Sequence, residues 1–473
     1  MASAKKEKSL TVRIISLIAV AIIILAGIFI EPPEGLDVPA FRCLCIVVSA
    51  FILWLTEALP VAITCILLIP AFALLGVLAP TDIYASAASS GLFFLLAGFG
   101  LGAAILKTNF AYILLRFAMK IANGDSKKII SGFVIMTGIV SMLVNNAASV
   151  LCFLGLAVAI VKAIGDPAPG TSNFAKGLML ALPMGAACGG VATPASNGLN
   201  VVLNDLLGTA TGLNIPFLQW CQLGIPLSIL LLIFVAWWLP KGIRPESLSE
   251  EQLVSVNEMF DSIPNKLEAK DWKCLAIFAI MIILWIASNW IKAIDVTLVA
   301  ILAVGVFFLP GINILTGKDY MSNVKPLGMI MILCIMPLAK AVKTTGAADW
   351  IVNVVFSSAD TWSSIMLLFM ITLMAMIVHL LVPSGTSNGT LCGTLMIPVA
   401  FAAGLPCTAV VLILAAMCGN NYITPVEGLY SFTYAYGHFG FKDCAKVGII
   451  ITAVMFLLCW LMIPALASLL GMF

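Results

Sequence analysis

The chain has 473 residues, of which 62% are hydrophobic and only 10% are charged, with a formal net charge of +2. Because a soluble domain carries about 25% charged residues, this composition excludes an ordinary soluble protein and predicts an all-α protein of the membrane. The small net charge gives no reason to expect a nucleic-acid partner. With two His, and with 13 Cys mostly inside apolar runs, a zinc site, a disulfide framework and a bound cofactor are not expected.

The N-terminus combines basic residues with a long apolar run. This run, residues 14–30, is not followed by a small-residue cleavage site, which favours a first transmembrane helix over a signal peptide. Residues 1–39 are therefore interpreted as a tail and a first span. Positive residues mark the cytoplasmic side of a span, so a cytoplasmic N-terminus is indicated by Lys5, Lys6, Lys8 and Arg13.

Apolar segments then follow one another almost to the C-terminus. They lie at 40–58, 61–79, 91–106, 129–143, 150–164, 175–188, 201–208, 217–239, 272–292, 296–314, 326–342, 363–382, 390–404, 408–419, 429–437 and 446–470. Several are shorter than the roughly 20 residues that a membrane-spanning helix needs. These short segments come in pairs divided by Asn, Ser, Thr, Gly or Pro, which is typical of re-entrant hairpins and broken helices in transporters.

A polar stretch at 241–270 divides the chain into two halves with the same order of segments. We interpret this stretch as a cytoplasmic connection that contains a short surface helix. The first repeat, 40–240, is predicted to contain a hairpin at 129–164 and a broken helix at 175–208. The second repeat, 271–473, is predicted to contain a hairpin at 363–404 and a broken helix at 408–437.

Repeats with an odd number of spans must have opposite orientations, an arrangement with which many secondary transporters place a site at the bilayer midplane. Five spans in each repeat and one leading span give about eleven transmembrane helices. A cytoplasmic N-terminus then places the C-terminus outside, in a multi-pass protein of the plasma membrane.

Four polar clusters mark the tips of the hairpins and the gaps of the broken helices. Backbone groups in a membrane must be hydrogen-bonded, so a non-helical tip survives only inside protein or beside a water-filled cavity. Helix N-termini at such tips offer free N–H groups to an anion. The predicted substrate-binding residues are Asn145, Asn146, Ser149, Thr193, Ser387, Asn388, Gly389, Thr390, Thr424 and Pro425.

Carbonyl groups of unwound stretches, together with polar side chains, are also suited to Na⁺. The predicted cation-binding residues are Asn146, Gly189, Asn200, Ser384, Asn388 and Glu427. Polar clusters of this kind can instead be helix-packing surfaces. That alternative explains one cluster more easily than four clusters in the same order in both halves.

The stretch Trp54-Leu55-Thr56-Glu57-Ala58-Leu59-Pro60 and the tip sequences resemble the divalent anion:sodium symporter (DASS) family. That family carries Ser-Asn-Thr at each hairpin tip, where this chain has Asn145-Asn146-Ala147 and Ser387-Asn388-Gly389. Gly189-Gly190, Thr193 and Asn200 also match the pattern of the first broken helix.

This resemblance implies a homodimer in which a scaffold domain holds the dimer contact and a transport domain moves as an elevator. It implies small dicarboxylate substrates such as succinate, malate, fumarate or 2-oxoglutarate, with Na⁺ bound nearby. The Asn and hydroxyl groups of each tip would then bind one carboxylate.

The chain also departs from the family pattern. Asn197-Gly198-Leu199 replaces the usual end of the first gap, and Glu427 stands where the symporters have a neutral residue. The stretch from His379 to Thr386 partly resembles the exchanger branch of the family. Na⁺ symport and anion exchange therefore both stay open as mechanisms. His379 can be either a structural group or a proton-coupling group.

Other functions are less consistent with the sequence. A sulfonate, sulfate or compact monocarboxylate would also fit two donor-rich tips, so the anion stays open. An ion channel would need a continuous pore, which opposed hairpins do not favour. An intramembrane enzyme is not expected, since no His-Glu-x-x-His motif and no paired Asp lies within the spans.

Overall fold

The computed structural model describes residues 10–56, 58–291, 293–324, 326–347, 350, 363–381, 385–425 and 427–472. Every regular element in these ranges is helical, which confirms the predicted all-α class. The helices are Leu10–Phe29, Val38–Thr56, Val61–Leu74, Pro80–Ala87, Ser90–Ile105, Phe110–Ala122, Ser126–Leu143, Asn146–Ala163, Asn173–Gly189, Gly198–Thr211, Phe217–Ile243, Glu250–Ser262, Ala269–Ala287, Val296–Phe307, Gly317–Asn323, Pro326–Thr344, Ser364–Leu381, Gly385–Ala402, Cys407–Gly419, Gly428–Tyr434, Phe441–Leu457 and Ile463–Leu469. A short 3₁₀ turn, Pro194–Ser196, and a π-helical turn, Leu458–Met462, complete the set.

Six helical stretches of the described chain are long and apolar enough to cross a membrane. They are Leu10–Phe29, Pro80–Ile105, Ser126–Leu143, Asn146–Ala163, Phe217–Ile243 and Phe441–Leu469. Shorter apolar helices of 10 to 17 residues accompany them. The predicted total of eleven spans stays a prediction, because length and composition alone do not decide which short helices cross the bilayer.

Two helix pairs and two interrupted helices follow one another in the same order in each half. We call Ser126–Leu143 with Asn146–Ala163 the first helix pair, and Ser364–Leu381 with Gly385–Ala402 the second helix pair. The first interrupted helix consists of Asn173–Gly189 and Gly198–Thr211, with a first gap between them. The second interrupted helix consists of Cys407–Gly419 and Gly428–Tyr434, with a second gap between them.

Local sequence explains where the first of these helices start. Asp125 accepts hydrogen bonds from the backbone N–H groups of Lys127 and Lys128, so it caps the first arm of the first helix pair. Ser172 accepts from the N–H of Ala175 and caps the first interrupted helix. Side-chain acceptors at these positions satisfy N–H groups that have no partner inside the helix.

Glycines bring the first helix pair and the first interrupted helix into close contact. A Cβ atom on Gly185 would lie 2.4 Å from the carbonyl oxygen of Val134, and one on Gly189 would lie 2.2 Å from that of Gly138. Only a residue without a side chain allows this approach of two backbones. The sequence therefore fixes the position of the first gap against Ser126–Leu143.

The two halves are interlocked through the second segments of their interrupted helices. Gly198–Thr211 of the first half packs along Gly385–Ala402 of the second helix pair. Gly428–Tyr434 of the second half packs on Asn146–Ala163 and Asn173–Gly189 of the first half. This reciprocal packing brings the tips of both helix pairs and both gaps to one place.

Candidate functional site

A cavity of about 470 Å³ lies where the two helix pairs meet the two interrupted helices. Its described lining comes from both halves of the chain and from helices outside the repeated elements. These residues are Phe94, Leu95, Gly98, Phe99, Asn145, Asn146, Ala147, Ala148, Leu151, Ala195, Asn197, Gly198, Val201, Asn323, Met331, Thr386, Glu427, Gly428, Leu429 and Phe432.

Three helices of 14 to 18 residues begin at this cavity. They are Asn146–Ala163, Gly198–Thr211 and Gly385–Ala402, and the lining includes the first or second residue of each. A helix N-terminus carries unpaired N–H groups and about half a positive charge. Three N-termini around one cavity therefore favour a bound anion without any basic side chain.

The first tip is held by its own hydrogen bonds. Asn145 Oδ1 accepts from the N–H of Ala148 at 2.9 Å, which caps the second arm of the first helix pair. The Ser141 hydroxyl donates to Asn146 Oδ1 at 2.8 Å. Asn146 also lies against the first gap, since a Cβ on Gly190 would be 2.4 Å from Asn146 Oδ1. Both Asn side chains are thus fixed at the cavity wall.

The first gap is tied together by Asn200 and Thr193. Asn200 Nδ2 donates to the carbonyl oxygens of Gly190 at 2.8 Å and Thr193 at 2.9 Å. The Thr193 hydroxyl donates to the carbonyl oxygen of Met142 at 2.9 Å, which joins the gap to the first helix pair. Asn200 Oδ1 is buried without a hydrogen-bond partner among the described residues.

The second tip packs directly on the second interrupted helix. A Cβ on Gly385 would lie 3.0 Å from the carbonyl oxygen of Cys418 and 3.2 Å from Glu427 Oε1. Asn388 is fully buried, and within the described chain its Nδ2 has no hydrogen-bond partner. Ser384 and the side chain of Ser387 lie outside the described residues.

The second gap contains a compact turn beside a carboxylate. Asn421 Oδ1 accepts from the N–H groups of Ile423 and Thr424, both at 3.0 Å, and Asn421 Nδ2 donates to the Thr424 hydroxyl at 2.9 Å. Glu427 Oε2 accepts from the N–H of Asn421 at 3.3 Å. Pro425 is buried in this turn. Glu427 is the charged side chain that the described lining contributes to the cavity.

The predicted residues divide into those at the cavity and those in its walls. Asn145, Asn146 and Glu427 line the cavity. Ser149 and Thr390 are buried, and their hydroxyls donate to carbonyl oxygens of their own helices. A Cβ on Gly389 would lie 2.4 Å from the Leu199 side chain, so Gly389 serves the contact between the halves. The binding roles of all these residues stay predictions.

Some lining residues were not singled out from the sequence. Thr386 and Asn197 belong to the polar clusters but were not among the predicted ligands. Phe94 and Phe99 come from Ser90–Ile105, a helix outside the repeated pairs. The spacing of Gly98, Gly100 and Gly102 was an available signal, because a Cβ on Gly102 would lie 2.9 Å from Asn145 Nδ2. Alternating small residues of this kind mark a close helix contact.

Metal-binding residue types do not gather in the described part of the chain. No three His, Cys, Asp or Glu side chains come together there as a metal site. All 13 Cys are free thiols, and 12 of them are buried. The site can therefore offer helix N-termini, amides, hydroxyls and one carboxylate to a guest, which suits binding and release of an ion.

Comparison with known proteins gives the chain its family. A sequence model described as citrate transporter matches residues 51–419. The chain is 26% identical over 485 residues to the sodium-dependent dicarboxylate transporter SdcS of Staphylococcus saprophyticus, with 94% of this chain and 89% of the relative covered. It is 24% identical over 381 residues to SdcS of Staphylococcus aureus strain MRSA252, with 74% and 71% covered.

A solved structure shares the fold. The YdaH transporter of Alcanivorax borkumensis, described as having an unusual topology, superimposes with a TM-score of 0.57 at 12% identity, over 82% of this chain and 87% of that chain. These matches confirm the resemblance to the divalent anion:sodium symporters, and they identify a multi-pass membrane transporter and not an enzyme. Since the family model covers more than half of its length, the chain belongs to the citrate transporter family.

Proposed function

We propose that the chain is a secondary active transporter of small dicarboxylates in the plasma membrane, with substrates such as succinate, malate, fumarate or 2-oxoglutarate. The observation that carries this proposal is the convergence of three helix N-termini, from both halves, on one cavity. The relatives named sodium-dependent dicarboxylate transporters support the same substrate class.

The proposed binding mode uses one tip for each carboxylate. Asn145 and Asn146 with the N-terminus of Asn146–Ala163 bind one end of the substrate, and Thr386, Asn388 and the N-terminus of Gly385–Ala402 bind the other. Hydrogen bonds to a charged acceptor are about twice as strong as those between neutral groups. Ser149, Thr193, Ser387, Gly389, Thr390, Thr424 and Pro425 complete the proposed substrate site.

Glu427 indicates that a cation accompanies the substrate. Its carboxylate lines the same cavity as the proposed anion site, and like charges in a medium of low dielectric constant repel strongly. A Na⁺ ion beside Glu427 would compensate this repulsion. The proposed cation ligands come from both tips and both gaps, and they are Asn146, Gly189, Asn200, Ser384, Asn388 and Glu427.

The proposed transport cycle is an elevator movement in a homodimer. The two helix pairs and the two interrupted helices would move as the transport domain, since their reciprocal packing joins them into one body. The remaining long helices would form the scaffold and the dimer contact. The N-terminus would face the cytoplasm and the C-terminus the outside.

Uptake of labelled succinate by proteoliposomes tests this proposal. We expect an inward Na⁺ gradient to drive accumulation, and replacement of Na⁺ by K⁺ to remove it. Accumulation that ignores Na⁺ but needs a dicarboxylate inside the vesicles would assign the chain to exchange. Competition by citrate, sulfate and a small sulfonate, added outside, ranks the alternative anions. No uptake of any dicarboxylate under either condition would refute the proposed function.

A further inference from the structure

A second, much smaller cavity lies against the second gap. Its volume is about 10 Å³, and its described lining is Met376, His379, Leu380, Met417, Asn420, Asn421, Ile423, Thr452 and Met455. No described residue lines both this cavity and the larger one. We call it the His379 chamber, and it lies between four elements: Ser364–Leu381, Cys407–Gly419, the second gap, and Phe441–Leu457.

Three polar side chains of the chamber have atoms without partners in the described structure. His379 Nε2, both side-chain amide atoms of Asn420, and the Thr452 hydroxyl are buried and make no hydrogen bond there. The three side chains are only 3%, 3% and 7% exposed. Buried polar groups are nearly always hydrogen-bonded, and one left unpaired lowers the free energy of unfolding.

The hydrogen bond at His379 Nδ1 decides whether Nε2 of the same ring is a donor or an acceptor. His379 Nδ1 lies 2.8 Å from the carbonyl oxygen of Met417. A carbonyl can only accept, so Nδ1 carries the proton and Nε2 is left as an acceptor. Asn420 adds one acceptor and one donor group, and the Thr452 hydroxyl can do either. The chamber therefore presents both donors and acceptors to a guest.

We propose that the His379 chamber holds one structural water molecule. A single water can donate to His379 Nε2 and Asn420 Oδ1, and it can accept from Asn420 Nδ2 and the Thr452 hydroxyl. The cavity volume matches the roughly 10–15 Å³ that a buried water needs. A cation fits this set less well than water, because the Asn420 Nδ2 group can only donate hydrogen bonds and cannot coordinate a cation.

This water has a consequence for the larger cavity. Asn420 precedes Asn421, and the N–H of Asn421 donates to Glu427, which lines the proposed anion site. The water therefore links Asn420 of the second gap to His379 in Ser364–Leu381 and to Thr452 in Phe441–Leu457. Asn420, His379 and Thr452 act as positioning residues, and the inference holds whichever anion the chain carries.

Whether the Tm falls or rises when a chamber hydroxyl is removed distinguishes a chamber that holds water from one that does not. We expect Thr452→Val to lower the Tm of the purified protein in lipid nanodiscs by about 2 °C, because the bound water loses a partner. Thr137→Val is the matched control, since its buried hydroxyl also has no partner among the described residues and lies outside the chamber. A Tm that rises or stays unchanged in both variants would overturn the proposal.

X-ray radiolytic footprinting gives a readout in the unmodified protein. Hydroxyl radicals form from bound water during irradiation and oxidise adjacent side chains, even buried ones. Met417 and Met455 line the chamber and are 1% and 0% exposed, whereas Met179 and Met184 are 0% exposed and line neither cavity. We expect oxidation of the first two and background oxidation of the second two. Equal background in all four would overturn the proposal.

The same experiments distinguish water from an ion. The thermal unfolding and the radiolytic footprinting are both repeated with Na⁺ replaced by choline. We expect the Tm difference and the oxidation of Met417 and Met455 to stay the same. A Tm increase with Na⁺ that is lost in Thr452→Val would assign the chamber to a cation and overturn the water.

Discussion

The two halves of the molecule repeat the same elements but differ in how their polar groups are satisfied. In the first half, Ser141 donates to Asn146, Thr193 donates to Met142, and the amide of Asn200 donates to two carbonyls of the first gap. In the second half, Asn388 Nδ2 and both amide atoms of Asn420 are buried without partners among the described residues, compared with Asn200 Oδ1 in the first half. Glu427 adds a carboxylate that the first gap does not have.

This difference indicates different tasks for the two halves. The first tip and gap are pre-organised by protein hydrogen bonds, so they can receive an anion with little rearrangement. The second tip and gap leave donors and acceptors free, and unpaired buried groups are costly. We therefore expect the second half to depend on guests, namely substrate, cation and water, for its stability. Five substitutions test this comparison, in order of decreasing effect.

The largest effect is expected from removing either tip amide. Asn146→Ala and Asn388→Ala should each reduce succinate uptake to background, because each removes a donor from one end of the proposed anion site. Uptake by proteoliposomes measures the loss, and size-exclusion chromatography checks the fold. Asn289→Ala, just after the end of Ala269–Ala287 and not among the residues that line the cavity, is the control. Near-normal uptake by both tip variants would refute the site assignment.

The next effect concerns the close contact at the second gap. A Cβ on Gly448 would lie 1.9 Å from the carbonyl oxygen of Tyr422, and backbone atoms cannot move aside easily. Gly448→Ala should therefore destabilise the protein by about 1–3 kcal/mol and reduce uptake about tenfold. Thermal unfolding and uptake are measured together.

Gly155→Ala is the matched control for this contact, since a Cβ there meets no atom within 4 Å. It should leave uptake unchanged and slightly raise the Tm. If Gly448→Ala behaves like Gly155→Ala, the second gap is not held by this contact.

A smaller and more specific effect is expected from Glu427. Glu427→Gln keeps the size of the side chain but removes the charge that would bind Na⁺. A charged hydrogen-bond or ion partner is worth about 1.5–3 kcal/mol, so the Na⁺ concentration for half-maximal uptake should rise about tenfold or more. Glu251→Gln, on an exposed helix, is the control. An unchanged Na⁺ response would remove Glu427 from the cation site.

The smallest effect is expected in the first gap. Thr193→Val removes the hydrogen bond to the carbonyl of Met142, near the C-terminal end of Ser126–Leu143, where carbonyls lack helical partners. A loss of about 0.5–1.5 kcal/mol should raise the KM for succinate roughly two- to tenfold with little change in maximal rate. Thr344→Val, at an exposed helix end, is the control. A fall in maximal rate at constant KM would contradict the place of Thr193 in the proposed substrate site.

The sequence was sufficient to predict the all-α class of the protein and its family. Short apolar segments divided by Asn, Ser and Gly predicted the turn at Asn145 and the first gap near Thr193, because local caps and breaks depend on neighbouring residues. The family resemblance rested on the same short motifs. Such features are encoded within a few residues and can be identified without tertiary contacts.

The packing of the helices and the lining of the cavity depend on contacts between segments that are distant in sequence. The sequence gives no sign that Gly198–Thr211 packs on Gly385–Ala402, or that Phe94 and Phe99 face the tips. Burial of His379 against Met417 and Thr452 is equally non-local. Hydrophobic periodicity shows which segments are helical but not which helices meet, so the composition of the cavity could only be found in three dimensions.

A structure determined with saturating succinate and Na⁺ tests the central claim most directly. We expect one substrate molecule in the 470 Å³ cavity, with one carboxylate beside Asn145 and Asn146 and the other beside Thr386 at the start of Gly385–Ala402. Succinate bound elsewhere, or contacting the tip of only one half, would contradict it.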